Sequence, residues 1–111
     1  LSVNCYLTDE TKELITYETL DEFKTGLIVV NTSRGEVVNE DYIYDLVVND
    51  EIRYSADVLC NEQNVHSLYQ SKLFNLDYDG ITITPHVAGA TVESQFKALE
   101  AILKLCKRCI K

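Results

Sequence analysis

The chain has 111 residues, 46% of them apolar and 25% charged, with a net charge of −8 and an isoelectric point near 4.6. That length bounds it to one domain with a real core, and its acidity repels phosphate backbones, so nucleic acid is excluded as a partner. No apolar stretch approaches a membrane span and the opening LSVNCYLTDE lacks a signal-peptide pattern, so a cytoplasmic protein with no membrane partner is expected.

Leu1 to Cys5 reads as a short strand that starts without a preceding turn or cap, as though the chain began inside a larger structure. Thr8, with Thr11 behind it, offers a helix start. Leu14 with Ile15, then Leu20 with Phe23, give two short amphipathic turns before Lys24-Thr25-Gly26 breaks the pattern. Leu27 to Val30 is an apolar run with adjacent valines, which fits a strand buried on both faces of a parallel sheet. It stops in the polar turn Asn31-Thr32-Ser33 and presents Arg34, after which Gly35 lets the chain turn away.

Asn39 caps a second helix, NEDYIYDLVVND, with Glu40 and Asp41 at the positive end of its dipole and Tyr42, Ile43, Leu46 and Val47 as its buried stripe. Ile52 to Val58 is a third strand, carrying Asp57 near its end. Asn61 to Tyr78 has no sustained period and reads as a loop with a helical turn around Val65 to Gln70. Ile81 to Thr84 form a fourth strand, which Pro85 terminates because it cannot donate to the ladder, and His86 follows. A Gly89-Ala90-Thr91 turn opens the longest helix, Val92 to Ile110, with Phe96, Leu99, Ile102, Leu103 and Cys106 on one face. Alternation of this kind predicts an α/β fold with four parallel strands and flanking helices.

The cysteines are Cys5, Cys60, Cys106 and Cys109, and in a cytoplasmic chain they are expected to be reduced. Cys106 and Cys109 form a CxxC, but no second Cys/His pair stands near to complete a metal site. No metal is expected.

The strands carry chemistry at their ends. In a parallel sheet all carboxyl ends face one way, so Arg34, Asp57 and His86 are predicted to converge on one rim, with Glu62 in a loop able to fold back over it. An arginine, an acid and a histidine in one crevice suit a 2-hydroxy acid. Arg34 would hold the carboxylate with its planar fork, His86 would exchange a proton with the hydroxyl or carbonyl oxygen, and Glu62 would orient the imidazole.

The segments LTDETKELI, VNTSRGEVV, ADVLCNE and ITITPHVAGAT, in this order, resemble the NAD-dependent D-isomer-specific 2-hydroxyacid dehydrogenases, including the phosphoglycerate dehydrogenase-like members. The resemblance implies a partial Rossmann (doubly wound) fold, with catalytic roles for Arg34, Glu62 and His86. It implies Asp57 as a contact to the nicotinamide carboxamide, with Thr32, Ser33, Ala88 and Gly89 lining NAD beside His86. Glu62 points away from the similar formate dehydrogenases, which carry Gln there.

The chain departs from that family in three places. It has no G-x-G-x-x-G, Asn4-Cys5-Tyr6 stand where the family tends to have His-x-Pro, and at Cys60 the family's usual acidic or proline-containing segment is altered. Residues 1–111 are therefore expected to be the C-terminal part of a dinucleotide-binding domain, with the glycine-rich half and the substrate domain absent. The expected function is part of an oxidoreductase moving a hydride between NAD and a D-2-hydroxy or 2-oxo acid, homodimeric when full length and inactive as an isolated fragment. The rival expectation is an NAD(H)-binding scaffold without turnover, resembling the dehydrogenase-like transcriptional corepressors.

Overall fold

The structure, a computed structural model, describes residues 1–20, 23 and 25–109, with the last two described by their backbone alone. Its elements in chain order are β1 (Ser2–Val3), α1 (Tyr17–Leu20), β2 (Leu27–Asn31), a 3-10 turn at Gly35–Val37, α2 (Glu40–Val48), β3 (Ile52–Ala56), α3 (Val65–Gln70), β4 (Ile81–Ile83) and α4 (Val92–Cys109). The strands form one sheet of four, in the order β1-β2-β3-β4, and every pairing is parallel. The α/β class and the parallel sheet are as the alternating pattern predicts.

Register aligns the carboxyl ends. Val3 pairs with Asn31, Asn31 with Ala56 and Ala56 with Ile83, so the segments that follow β1, β2, β3 and β4 all leave from the same rim. The ladder runs a step further there, with Asp57 N donating to Asn31 O at 3.0 Å and Thr84 N to Ala56 O at 2.9 Å.

Burial in β2 corrects the expectation of a strand covered on both sides. Val29 is 0% exposed, whereas its neighbour Ile28 is 55% exposed. Alternate side chains leave a strand on opposite faces, and the core forms on one of them only. That covered face packs Val29, Ile52, Tyr54 and Ala56 against Ile43, Leu46 and Val47 of α2 and against Leu73. Each fully buried aliphatic side chain contributes roughly 1.5–3 kcal/mol. Asn39 caps α2 as predicted, its side chain accepting from Tyr42 N at 2.9 Å.

The segment after β1 does not become the helix that Thr8 promises. Thr8 and Thr11 close a reciprocal turn, with Thr8 N donating to Thr11 Oγ1 at 2.8 Å and Thr11 N to Thr8 Oγ1 at 3.2 Å. Beyond it Glu13 N donates to Glu36 O and Ile15 N to Val37 O, while Asn39 N donates to Ile15 O. This lateral pairing with the chain that follows β2 uses amides a helix would need. Ile15 and Leu20 are buried, but Leu14 and Phe23 stay exposed. Lys24 lies outside the described residues; at Gly26 the chain turns with φ 72°, a conformation that favours glycine.

The longest helix forms where predicted, opened by Thr91, whose hydroxyl accepts from Ser94 N at 3.2 Å. Its apolar side is not covered: Phe96, Leu99, Ile102, Leu103 and Cys106 are all exposed. Ile110 lies outside the described residues, as does the Cys109 side chain of the CxxC. No helix among the described residues is long and apolar enough to cross a membrane.

Candidate active site

The turn after β2 is shaped by Asn31, a buried polar residue that looks in the sequence like a mere turn former. Its Oδ1 accepts from Ser33 N at 3.0 Å and its Nδ2 donates to Arg34 O at 2.9 Å, so one side chain ties both ends of the turn. Such an Asx turn is what an asparagine at a strand end can build. Ser33 is also buried, its hydroxyl donating to Cys5 O, while Thr32 Oγ1 donates to Asn4 Oδ1 at 3.1 Å. Arg34 is left exposed, with Nη1 donating to Ser33 O at 2.7 Å.

Gly35 matters through close approach. A Cβ there would lie 2.1 Å from both Cys60 N and the Leu59 carbonyl carbon. The chain after Arg34 is thereby pressed against the loop that leads to Glu62. Glu62 in turn faces His86. The imidazole Nδ1–H donates to Glu62 Oε1, since a carboxylate can only accept, and Glu62 Oε2 accepts from Leu59 N at 3.0 Å. The His86 side chain is 49% exposed and that of Glu62 is 23% exposed, so the pair sits at the mouth of the rim.

Arg34, Glu62 and His86 line a single cavity of about 280 Å³. Arg34 also borders a second crevice of about 410 Å³, walled by Asn4, Cys5, Tyr6, Leu7, Thr32 and Ser33. On the other side of the Glu62–His86 pair lies a mainly apolar recess of about 370 Å³ with Leu59, Leu68, Phe74, Ile83 and Pro85 among its walls. Side chains distant in sequence therefore meet at one rim because parallel register brings their strand ends together.

Asp57 has a different position from its predicted companions. It is 5% exposed, and its carboxylate accepts from Thr84 Oγ1, from Val87 N at 2.9 Å and from Ala88 N at 2.8 Å. Burial pushes its pKa up, but the hydrogen bonds from Thr84, Ala88 and Val87, with His86 nearby, outweigh it and hold the carboxyl below the ordinary aspartate range. The result is a clamp on the loop that carries His86, whose backbone lies in the left-handed region at φ 53°. Ala88 enters this arrangement through its amide, and Gly89 has open space around it. His66 is a surface residue near Gln70.

Cys5, Cys60 and Cys106 are free thiols. Burial and then the Glu40 and Glu36 carboxylates push the Cys60 thiol far above its usual range, which makes it a poor nucleophile. Among the described residues no group of three His, Cys, Asp or Glu side chains is placed to hold a metal ion.

A parallel sheet with an arginine and a hydrogen-bonded Glu–His pair at its carboxyl rim defines a class, that of the open α/β sheets, in which the crevice at the strand carboxyl ends is where ligands bind. The family model described as D-isomer specific 2-hydroxyacid dehydrogenase, NAD binding domain, matches residues 1–88, and the chain belongs to that family. A hydroxypyruvate reductase from Thermotoga maritima is 33% identical over 110 residues, covering 96% of this chain and 35% of the relative. A D-3-phosphoglycerate dehydrogenase from Mycobacterium leprae is 35% identical over 99 residues, 88% of this chain and 18% of the relative. The crystal structure of D-lactate dehydrogenase from Aquifex aeolicus, complexed with NAD and lactic acid, superposes with a TM-score of 0.73 at 28% identity, covering 98% of this chain and 36% of that one. The chain thus spans about a third or less of the length of these relatives.

The donor set suits part of the cofactor that the family binds. The crevice beside Arg34 is lined by the hydroxyl, amide and backbone groups of Asn4, Thr32 and Ser33, the kinds of group that a nicotinamide and its ribose take as partners. A glycine-rich turn to cradle the diphosphate is not in the sequence.

Proposed function

We propose that this chain is the C-terminal half of an NAD-binding domain and that it carries the reaction-centre residues of a dehydrogenase acting on a D-2-hydroxy or 2-oxo acid. The observation that supports this most directly is the cavity shared by Arg34, Glu62 and His86. In this reading the glycine-rich phosphate turn and the substrate domain come from further polypeptide, and the isolated chain turns over no substrate.

Arg34 grips the substrate carboxylate, its two parallel N–H groups matching the carboxylate oxygens. With Nδ1–H held on Glu62, His86 keeps Nε2 for the proton of the substrate oxygen. Thr32, Ser33, Ala88 and Gly89 border the cofactor, and Asp57, whose proposed contact is the nicotinamide carboxamide, clamps the His86 loop while its Oδ2, which accepts only from Ala88 N, keeps a lone pair for that contact. NAD, when bound, supplies hydride acceptance or donation at C2 of the acid. Whole enzymes of this kind would be dimers in the cytoplasm, with the small acid and NAD as their ligands.

The test is a chimera in which this chain replaces the matching third of the Thermotoga maritima relative. It should oxidise NADH in the presence of a 2-oxo acid such as hydroxypyruvate, pyruvate or glyoxylate. Arg34→Lys should raise KM by roughly tenfold or more, because a point charge loses one of two charge-assisted hydrogen bonds. His86→Gln should lower kcat by about 10²- to 10⁴-fold, the usual contribution of a positioned acid–base group. A folded chimera that binds NADH and turns nothing over would instead support the scaffold reading, in which the same fold holds NAD(H) without catalysis.

A further inference from the structure

Three successive amides in the loop after β3 donate to three different carboxylates. Leu59 N reaches Glu62 Oε2 at 3.0 Å, Cys60 N reaches Glu40 Oε1 at 2.6 Å, and Asn61 N reaches Glu36 Oε1 at 3.0 Å. The other oxygen of Glu40 accepts from Ser71 Oγ at 3.3 Å, in the segment after α3. Glu40 opens α2, where an acid would be expected merely to favour the helix dipole. Its hydrogen bonds run instead to groups 20 and 31 residues away, across to the loop that carries Glu62.

That loop has little freedom of its own to hold Glu62 in place. Asn61 sits at φ 54°, in the left-handed region, and Glu62 must meet Leu59 N with one oxygen and His86 Nδ1 with the other. A small rotation at Cys60 or Asn61 would carry the carboxylate away from the imidazole. Gathering Glu36, Glu40 and Glu62 around one turn of a chain with net charge −8 is electrostatically unfavourable, and the N–H and hydroxyl groups that donate to them offset it. The proximity of the Glu40 and Glu36 carboxylates is also felt by the Cys60 thiol, which they push up after burial has done so.

We propose that Glu40 is a positioning residue for the Glu62–His86 pair, acting through its hydrogen bonds to Cys60 N and Ser71 Oγ. The proposal rests on the reading of that pair as the proton-handling unit, and extends it to a residue that touches neither substrate nor cofactor. Glu40 fixes the backbone of the Glu62 loop, Glu62 fixes the tautomer of His86, and the tautomer leaves Nε2 to face the ligand. Reach matters here more than charge.

The experiment uses the 111-residue chain, with the His86 ring nitrogens observed by ¹⁵N NMR at about pH 9, above the ordinary histidine range. The wild type should show the Nδ1-protonated tautomer predominating. Glu40→Gln keeps the length and an acceptor oxygen and should retain that tautomer. Glu40→Asp keeps the charge at the helix start but is one methylene short, and should shift His86 to a mixture of tautomers while the amide shifts of Val29 and Ile43 in the core stay in place. Ser71→Ala, which removes one of the two bonds to Glu40, should give a smaller shift in the same direction and serves if Glu40→Asp does not fold. A core-intact Glu40→Asp chain, or a Ser71→Ala chain, with the wild-type tautomer overturns the positioning role and leaves the dehydrogenase reading standing. A wild-type chain with no Nδ1 preference overturns both.

Discussion

Helices α2 and α4 carry the same kind of pattern and have opposite fates. In α2, Ile43, Leu46 and Val47 recur at helical spacing and are buried against β3, with Leu46 only 3% exposed. In α4, Leu99, Ile102 and Leu103 recur at the same spacing, yet Leu103 is 51% exposed. Amphipathic spacing says which side of a helix wants cover but not what supplies it. Cover for α2 is local, because the short turn after it leads straight into β3, the strand it packs on, whereas α4 follows β4 and finds no such surface among the described residues. The join between the two regions is the His86 loop, which the Asp57 clamp fixes to the covered side.

The contrast can be broken by mutation. Leu46→Ala should lower the unfolding free energy by about 2–5 kcal/mol, since it removes buried methylenes and leaves a cavity; a cost below 1 kcal/mol in urea denaturation would mean that α2 is no better packed than α4. Asp57→Asn, at the join, should cost about 1–3 kcal/mol near neutral pH by weakening the bonds to Val87 and Ala88. Its pH dependence sharpens the point. The folded carboxyl titrates below the ordinary aspartate range, so its stabilisation is complete above about pH 4 and is lost as the pH falls through the lower folded value. The wild type should therefore lose stability on acidification below pH 4 more steeply than Asp57→Asn, and parallel curves would dismiss the clamp. The smallest effect belongs to Leu103→Ala, which should change stability by no more than about 0.5 kcal/mol; a Leu46-like loss would show that α4 is packed in solution.

Much of the architecture was legible in the order of apolar runs and breakers. The limits of α3, the start of β3, the Asn39 cap and the parallel sheet all follow from local signals whose cause is local. Local signals mislead where a competing partner lies far along the chain. Thr8 and Thr11 make the turn a helix start would make, but residues 13–15 pair with residues 36–39 instead. Four apolar residues in β2 look buried on both sides, but period-two geometry sends Ile28 to a face that this chain leaves open. At the rim, the residue types were legible and their bonding was not. Asp57 is legible as an acid at a strand end, but its bonds to Val87 N and Ala88 N are not, and Glu40 reads as a dipole acid until Cys60 N reaches it.

The sequence by itself determined the strand and helix content, the α/β class and the set of polar residues available at the strand ends, because these depend on side-chain periodicity and on turn chemistry within a few neighbours. Only the tertiary structure decided which of those residues face a cavity together, which acids are occupied by backbone amides, and which apolar stripe is covered. The reason is physical: hydrogen bonds and burial between residues 20 to 30 positions apart depend on register and crossing geometry, which no local spacing encodes.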